Sequence, residues 1–523
     1  MAKQLVKDMK RTGILFYIII LQLASLLFVM GKGAGQIYLD MFLILLVITF
    51  GTYFLARVQG GNIKIVIYTI VLLTIGTMLQ TIFLQEAVLA NPTAYETRNP
   101  AAGLQMQYII AFVAAVAAGF FYKKGKILAS PKVIKKMYGA SMMLYVVTLV
   151  LAKAVGNAKN WIVIGGLSIQ TSEINKLLYI LLMAGILGGV EKPSKKRIGF
   201  AFLVTLSNLF FLMLQSEFGT ILLILTVFPV YLLLFVPDLK VVLFTILGYV
   251  GVGGAVAGIG NFISDMAAKY ASFGGLSIVK FFLQNYDKIA NRVIYWLNPE
   301  KDPMGLGYQM LKARDAIVLG GWLGTNNVTN LPVKTSDMVF PALIERCGII
   351  LAVLVLIVII MLWLEGIRVF IRIKDKYHRA VCAGIVFMLF YQALIIVGGS
   401  CGMFPLTGIT LPFISSGGSS LLVSGVMIAM VITISGKMEW EGEMDHEEME
   451  LEFKLPAKNS DYTKRLTSLC HRYGAVLNQN ISRIAGSFKR SGSGEGTGSL
   501  REESEGVCEG TDSGPEWGDS GEL

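Results

Sequence analysis

The stretch that decides how this chain is read runs from Asn326 to Leu364: a polar segment, NNVTNLPVKTSD (326–337), passes directly into MVFPALIERCGIILAVLVLIVIIMLWL (338–364). As a helix rising 1.5 Å per residue, the apolar part is about 40 Å long, more than the roughly 30 Å of bilayer hydrocarbon. It reads as a membrane span with Asp337 at its mouth. Glu345 follows eight residues later, and at about 100° per residue the two carboxylates stand roughly 80° apart, broadly on one side of a helix. Asp337 equally suits the N-cap of that helix, with Lys334 as a surface partner, so local pattern leaves both a cap and a general base open.

The rest of the chain frames this mouth with membrane helices. Of its 523 residues 54% are hydrophobic and only 15% charged, which excludes a soluble enzyme. Twelve spans are predicted, near 12–30, 40–56, 62–84, 104–122, 138–155, 173–190, 197–214, 219–236, 239–259, 338–363, 379–398 and 420–436. The first follows Lys3, Lys7, Lys10 and Arg11 with no small-residue cleavage site after it, so it reads as a retained helix and not a signal peptide. An even number of spans puts both termini on one side. The N-terminus and the connections near 57–64, 123–136, 192–197, 240 and 368–379 hold 22 Lys and Arg, against Lys32, Arg98 and Lys159 in the short opposite connections. Both termini are therefore predicted to be cytoplasmic, and the net charge of +11 is a topology signal that argues against nucleic acid.

The long 260–337 connection is then exterior. Its helical patterns at Leu276–Leu297 and Gly307–Leu319 predict short amphipathic helices over the outer mouth. After Lys437 comes an acidic run (439–450), then a basic segment with Arg465, Arg472, Arg483, Lys489 and Arg490, then a Gly/Ser/Glu-rich end, together predicted to be a largely disordered cytoplasmic tail. The basic part suits anionic lipid or a cytoplasmic partner.

The five cysteines are scattered and give no disulfide framework or metal pattern. His378, His446 and His471 fall in segments read as cytoplasmic, so chemistry at the exterior mouth proceeds without histidine. There is no Walker loop, nucleophile elbow or HExxH pair. Ionisable groups inside the membrane cost about 2.5–3.5 kcal/mol each on insertion scales, so their positions carry information. Glu173 and Lys176, three apart in TSEINK, can pair, although capping by Ser172 or Glu173 and snorkelling of Lys176 explain them as well. In QSEFGT, Gln215, Glu217 and Thr220 can face a cavity, or Ser216 or Glu217 simply caps a helix. The irregular CGMFPLTGITLPFISSGGSSLL (401–422) must be buried in protein or line a wet cavity. Its Ser415, Gly417, Gly418 and Ser419 enter a helix N-terminus, a geometry that suits phosphate but that also arises structurally.

Taken in order, GNAKNW (156–161), GGLSIQTSEINK (165–176), QSEFGT (215–220), RVIYWLNPEKDPMGLGYQ (292–309), LPVKTSDMVFPALIERCG (331–348) and PLTGITLPFISSGGSS (405–420) resemble the SEDS family, the FtsW/RodA/SpoVE proteins that polymerise peptidoglycan glycan strands. The resemblance implies an all-α polytopic membrane protein, a SEDS-type bundle of ten core helices to which this chain adds an N-terminal pair. It divides the chain into 1–137, with the first four spans, 138–436, the core with exterior loop 260–337, and the tail 437–523.

It also implies an inverting glycosyltransferase of the bacterial cytoplasmic membrane. A sugar hydroxyl of one lipid II unit attacks the anomeric carbon of another at the outer face and releases polyprenyl diphosphate. The family's exterior aspartate falls on Asp337, as general base, the later glutamate on Glu345, and the intramembrane acid and lysine on Glu173 and Lys176. Charge for the leaving diphosphate would come from Lys334, Lys312, Arg314, Arg292 or a divalent cation (Mg or Mn), with no cofactor strictly implied. Expected partners are lipid II, membrane lipids and a class B penicillin-binding protein, a transpeptidase. Asn160, Thr171, Glu217, Thr335, Met338 and Ser416 depart from the common family pattern, and none removes the base. A lipid II flippase or a non-catalytic scaffold of a wall-synthesis complex are the alternatives.

Overall fold

The computed structural model describes residues 2–91, 101–151, 153–155, 158–164, 167–270, 276–305, 307–326 and 329–436; the tail expected over 437–523 lies outside them. Its helices are α1 (Ala2–Gly31), α2 (Gly35–Gln59), α3 (Ile63–Ala90), α4 (Ala102–Phe121), α5 (Pro131–Leu151), α6 (Thr171–Met183), α7 (Lys195–Leu214), α8 (Phe218–Phe235), α9 (Leu239–Lys269), α10 (Ser277–Leu297), α11 (Tyr308–Gly320), α12 (Val339–Arg372), α13 (Lys376–Ser400) and α14 (Gly418–Ser435). Eleven are long and apolar enough to cross a membrane, and α1 adds a shorter apolar run, Leu15–Gly31. The chain is a multi-pass helical membrane protein, with α10 and α11 as the two short helices expected in the long loop.

Burial sorts the bundle. The apolar stretches of α3 and α6 are each 83% buried and form its interior with α13 and α14, whereas α9 is only 11% buried and faces outward. Helices α1 and α2 pack on α3. Gln22 Nε2 donates to Thr49 Oγ1 across α1 and α2 at 2.8 Å, and Lys32 Nζ reaches Asn326 Oδ1 at 2.5 Å.

Three predicted spans differ from the structure, each for a local reason. The span expected over 138–155 stops at Leu151, and a three-stranded antiparallel sheet follows: β1 (Lys153–Val155), β2 (Ala158–Ile164) and β3 (Leu167–Gln170). Strands β2 and β3 pair in register from Trp161 with Gln170 to Ile164 with Leu167. Helix α9 continues to Lys269 through the glycines of 251–260, because a backbone in lipid must satisfy its own hydrogen bonds. Helix α12 is broken at Gly348, whose φ of 86° and ψ of 167° only glycine adopts readily. The segment after α11 fills the break: Thr325 N–H donates to the Glu345 carbonyl at 2.7 Å, and Ile349 N–H to that of Gly321 at 2.9 Å. A Cβ at Gly348 would collide with the Trp322 carbonyl.

Candidate active site

Asp337 sits in a turn over 332–338 that several distant segments hold in place. Gln80 of α3, buried in the bundle, donates through Nε2 to the Thr335 carbonyl at 2.9 Å and to that of Ile414 at 3.0 Å. Ser416 N–H donates to the Thr335 carbonyl at 2.7 Å, and Ser415 Oγ to the Ser336 carbonyl at 2.8 Å. The backbone that leads into Asp337 is thereby fixed from α3 and from the 415–416 serines. Among the described residues, the non-glycine positions with positive φ are Ser216 (59°), Val333 (53°) and Phe413 (66°). Val333 lies in the turn that carries Asp337, and Phe413 precedes the serines that grip it. A β-branched residue in this region is strained, and such strain concentrates where surrounding structure enforces a functional geometry.

The capping alternatives do not hold. Helix α12 starts after Met338, which makes no side-chain cap bond, and Asp337 lies one residue earlier. Gln170 and Glu217, at the caps of α6 and α8, make no side-chain cap bonds either.

Asp337 opens onto a cleft of about 890 Å³ including its mouth, lined by Lys288, Asn291, Arg292, Tyr295 and Trp296 of α10, by Gln309 and Met310 of α11, and by Met338, Leu406 and Gly408. The α10 residues recur at i, i+3, i+4, i+7 and i+8, a single face of that helix. Gly408 has a φ of +70°; a Cβ there would lie 3.4 Å from Oδ2 of Asp337 and 4.0 Å from Nη2 of Arg292, so carboxylate and guanidinium flank one small space. Burial pushes the Asp337 carboxyl above the usual aspartate value, while a hydrogen bond with Ser336 and the charge of Arg292 pull it back. Arg292 is anchored by Nη1 on the Leu406 carbonyl at 3.0 Å and lies over the Phe218 ring at 5.7 Å. Trp296 Nε1 donates to the Gly402 carbonyl at 2.8 Å. The arrangement offers a basic carboxylate beside an oriented cation, which is what proton removal next to a developing negative charge requires.

Of the residues singled out from sequence, Asp337 and Arg292 meet in this cleft. Glu345 does not join them: fully buried, its Oε1 accepts from Thr329 N–H at 2.6 Å and from Thr329 Oγ1 at 2.5 Å, so it ties down the loop before the turn. The helical alignment of the two acids fails because Asp337 precedes the helix. Lys334 pairs with Glu86 at 2.5 Å, and Arg346 with the same carboxylate at 2.6 Å. Lys312 pairs with Asp315 at 3.1 Å, outside the cleft lining. Glu173 and Lys176 form a buried pair at 2.8 Å, and Lys176 Nζ also donates to Gln392 Oε1 at 3.0 Å. Glu217 accepts from Gln170 Nε2 at 2.7 Å, and burial lifts its carboxyl to about 7 against that hydrogen bond. Gln215 donates to the Tyr145 carbonyl at 3.4 Å and so points into the bundle. Ser415 grips the Asp337 turn, and Ser419 Oγ accepts from Gln170 N–H at 3.3 Å. The Gly417 carbonyl takes Leu421 N–H, and Gly418 lies against the Gln107 side chain. That serine-glycine turn holds loops together here.

Sequence reading missed Lys288, Asn291, Tyr295, Trp296, Gln309 and Gly408 in the cleft, and Gln80 and Glu86 behind it. The 3.6-residue stripe on α10 could have revealed the first four; contacts from α3 leave no local trace. Among the described residues no group of three or more His, Cys, Asp and Glu comes together as metal ligands.

Residues 65–439 match the family model of the FtsW, RodA and SpoVE cell cycle proteins, leaving α1 and α2 outside the match. The chain is 30% identical over 304 residues to stage V sporulation protein E of Bacillus subtilis, covering 56% of this chain and 76% of that protein. It is 29% identical over 317 residues to the peptidoglycan glycosyltransferase MrdB of Escherichia coli K12, covering 57% and 79%. A solved structure from work on "structural coordination of polymerization and crosslinking by a peptidoglycan synthase complex" shares the fold with a TM-score of 0.52 at 20% identity, over 72% of this chain and 99% of that one.

Proposed function

The chain belongs to the FtsW/RodA/SpoVE family, and from that premise we propose that it is a peptidoglycan glycosyltransferase that joins lipid II units into glycan strands. The observation that carries the reading is Asp337, its carboxyl raised by burial and bracketed with Arg292 around Gly408 in an open cleft. Asp337 takes the proton of the attacking sugar hydroxyl. The freed oxygen bonds to the anomeric carbon of the second unit as the bond from that carbon to the diphosphate oxygen breaks, and the diphosphate leaves with the electron pair. One displacement inverts the anomeric centre, so one base suffices. The excess of Lys and Arg in one set of connections supports cytoplasmic termini and an exterior cleft. Helices α1 and α2 are an addition to a ten-helix core, in keeping with the match that starts at residue 65.

The described cleft offers one carboxylate, not a protein cage for a metal. A Mg or Mn ion would therefore rest on the substrate's own phosphates and not on protein ligands, would offset their charge, and would leave Asp337 as the base. A class B penicillin-binding protein is the expected partner, since the fold is shared with a polymerising and crosslinking synthase complex. Purified full-length protein given lipid II should make glycan polymer, and Asp337→Ala should make none while keeping its thermal stability. Polymer formation by the alanine variant would remove Asp337 from the chemistry. Lipid translocation without polymer in the wild type would favour the flippase instead.

A further inference from the structure

Helix α10 lies across the cleft with Lys288 and Arg292 one turn apart on its inner face. Apart from Tyr295, the ionisable residues of the lining are these two cations and Asp337, so positive charge is in excess there. Arg292 is already oriented: Nη1 on the Leu406 carbonyl and the Phe218 ring beneath it leave Nη2 directed toward Gly408 and the carboxylate. Lys288 reaches across to the turn between α7 and α8, where its Nζ donates to Ser216 Oγ at 3.3 Å. Ser216, held at a φ of 59°, itself donates to Asn285 Oδ1 of α10 at 2.9 Å. The strained turn therefore holds Lys288 against the cleft wall. Burial lowers the proton affinity of Arg292, and burial together with the charge of Arg292 lowers that of Lys288, as expected of two cations set side by side on a cleft wall. Glu217 acts on Arg292 from behind, but with its carboxyl lifted to about 7 it neutralises that charge only in part.

Building on the glycosyltransferase reading, we infer that Lys288 and Arg292 form a diphosphate clamp in this cleft. Side chains at i and i+4 on a helix stand about 6 Å apart, a spacing that serves two adjacent phosphate groups. The arginine fork binds one phosphate with two parallel hydrogen bonds, and the lysine meets the other as a point charge. As the glycosyl bond breaks, the electron pair left on the diphosphate oxygen falls between them, while Asp337 faces the incoming hydroxyl on the other side. Inversion demands that hydroxyl and diphosphate take opposite faces of the reacting carbon, with Asp337 serving the first and the two cations the second.

Inorganic pyrophosphate is the probe. Its binding to detergent-solubilised full-length protein is measured by calorimetry for wild type, Lys288→Ala, Lys288→Arg, Arg292→Gln and Lys312→Ala, beside lipid II polymerisation by each. Pyrophosphate should bind the wild type and compete with lipid II. Lys288→Ala and Arg292→Gln should weaken its binding by about tenfold or more, the loss expected of a charged hydrogen bond. Lys288→Arg should restore most of the affinity, and Lys312→Ala should change nothing. Equal binding by all variants, or none by a wild type that polymerises lipid II, overturns the clamp. A wild type that binds pyrophosphate through Lys288 yet forms no polymer upholds the anion site and overturns the glycosyltransferase reading instead.

Discussion

Removing Arg292 should move the acid limb of the polymerase pH profile upward. Only the ionised Asp337 can accept a proton, so activity is present above its folded pKa and falls as pH drops through it. Burial sets that value above the ordinary aspartate range, and Arg292 restrains it. The distances from the Gly408 position, 3.4 Å to Asp337 Oδ2 and 4.0 Å to Arg292 Nη2, bound their separation. At the largest separation they allow, roughly 7 Å, and an effective dielectric of about 20, the attraction is on the order of 2 kcal/mol. Arg292→Gln removes it while keeping a hydrogen-bond donor, so kcat/KM for lipid II should lose its acid limb at higher pH than in the wild type. Profiles of kcat/KM report ionisations of the free enzyme, which keeps weakened substrate binding out of the midpoint. Unfolding is separable as well. A carboxyl whose folded pKa is raised costs stability above that value and relieves the cost on protonation, so Asp337 makes the protein no less stable over the pH range where activity disappears. Thermal stability should therefore hold through the limb. An acid limb that stays in place in Arg292→Gln, or moves to lower pH, refutes the coupling.

Two further outcomes test the frame. Lys176→Met leaves Glu173 buried without its cation and should destabilise the protein by about 3–5 kcal/mol, whereas adding Glu173→Leu should recover much of the loss; thermal denaturation in detergent measures both. Gly348→Ala places a Cβ against the Trp322 carbonyl at a backbone conformation foreign to alanine, which should cost roughly 2–4 kcal/mol or more and lower the melting temperature far more than Gly258→Ala in the open glycine run of α9.

The frame was legible because hydrophobic runs and loop charges act locally. Twelve runs became helices near their expected places, and the loop helices emerged as α10 and α11. The exceptions came from backbone conformations whose cause lies elsewhere in the chain. Gly348 breaks α12 because the segment after α11 inserts there, and nothing within 338–364 announces it. The β2–β3 pair is readable in principle, from the short apolar runs WIVI and LSIQ, but it falls in the connection between the spans predicted at 138–155 and 173–190, where span-length hydropathy carries no strand signal. Glu345 was placed near Asp337 by assuming one continuous helix, whereas the turn releases Asp337 from helical spacing altogether.

What distinguishes Asp337 from Glu345, Glu86 and Glu173 is that its carboxyl hydrogen-bonds with the adjacent Ser336 and faces Arg292 across a small open space. Glu345, one of its equals in the sequence, is engaged by Thr329 through both backbone and hydroxyl, Glu86 by Lys334 and Arg346, and Glu173 by Lys176. Around Asp337 the reverse holds. Gln80, Ser415 and Ser416 bind the carbonyls next to it and not the carboxylate itself, and its helix starts without it. Strain at Val333 and Phe413, buried hydrogen bonds from α3 and a glycine at 408 that leaves room beside the carboxylate all act to hold an under-solvated base facing open space. Folding gains little from such a group, since burying a carboxylate is unfavourable. Its place in so heavily supported a turn is what the proposed chemistry at the cleft would explain and the stability of the bundle would not.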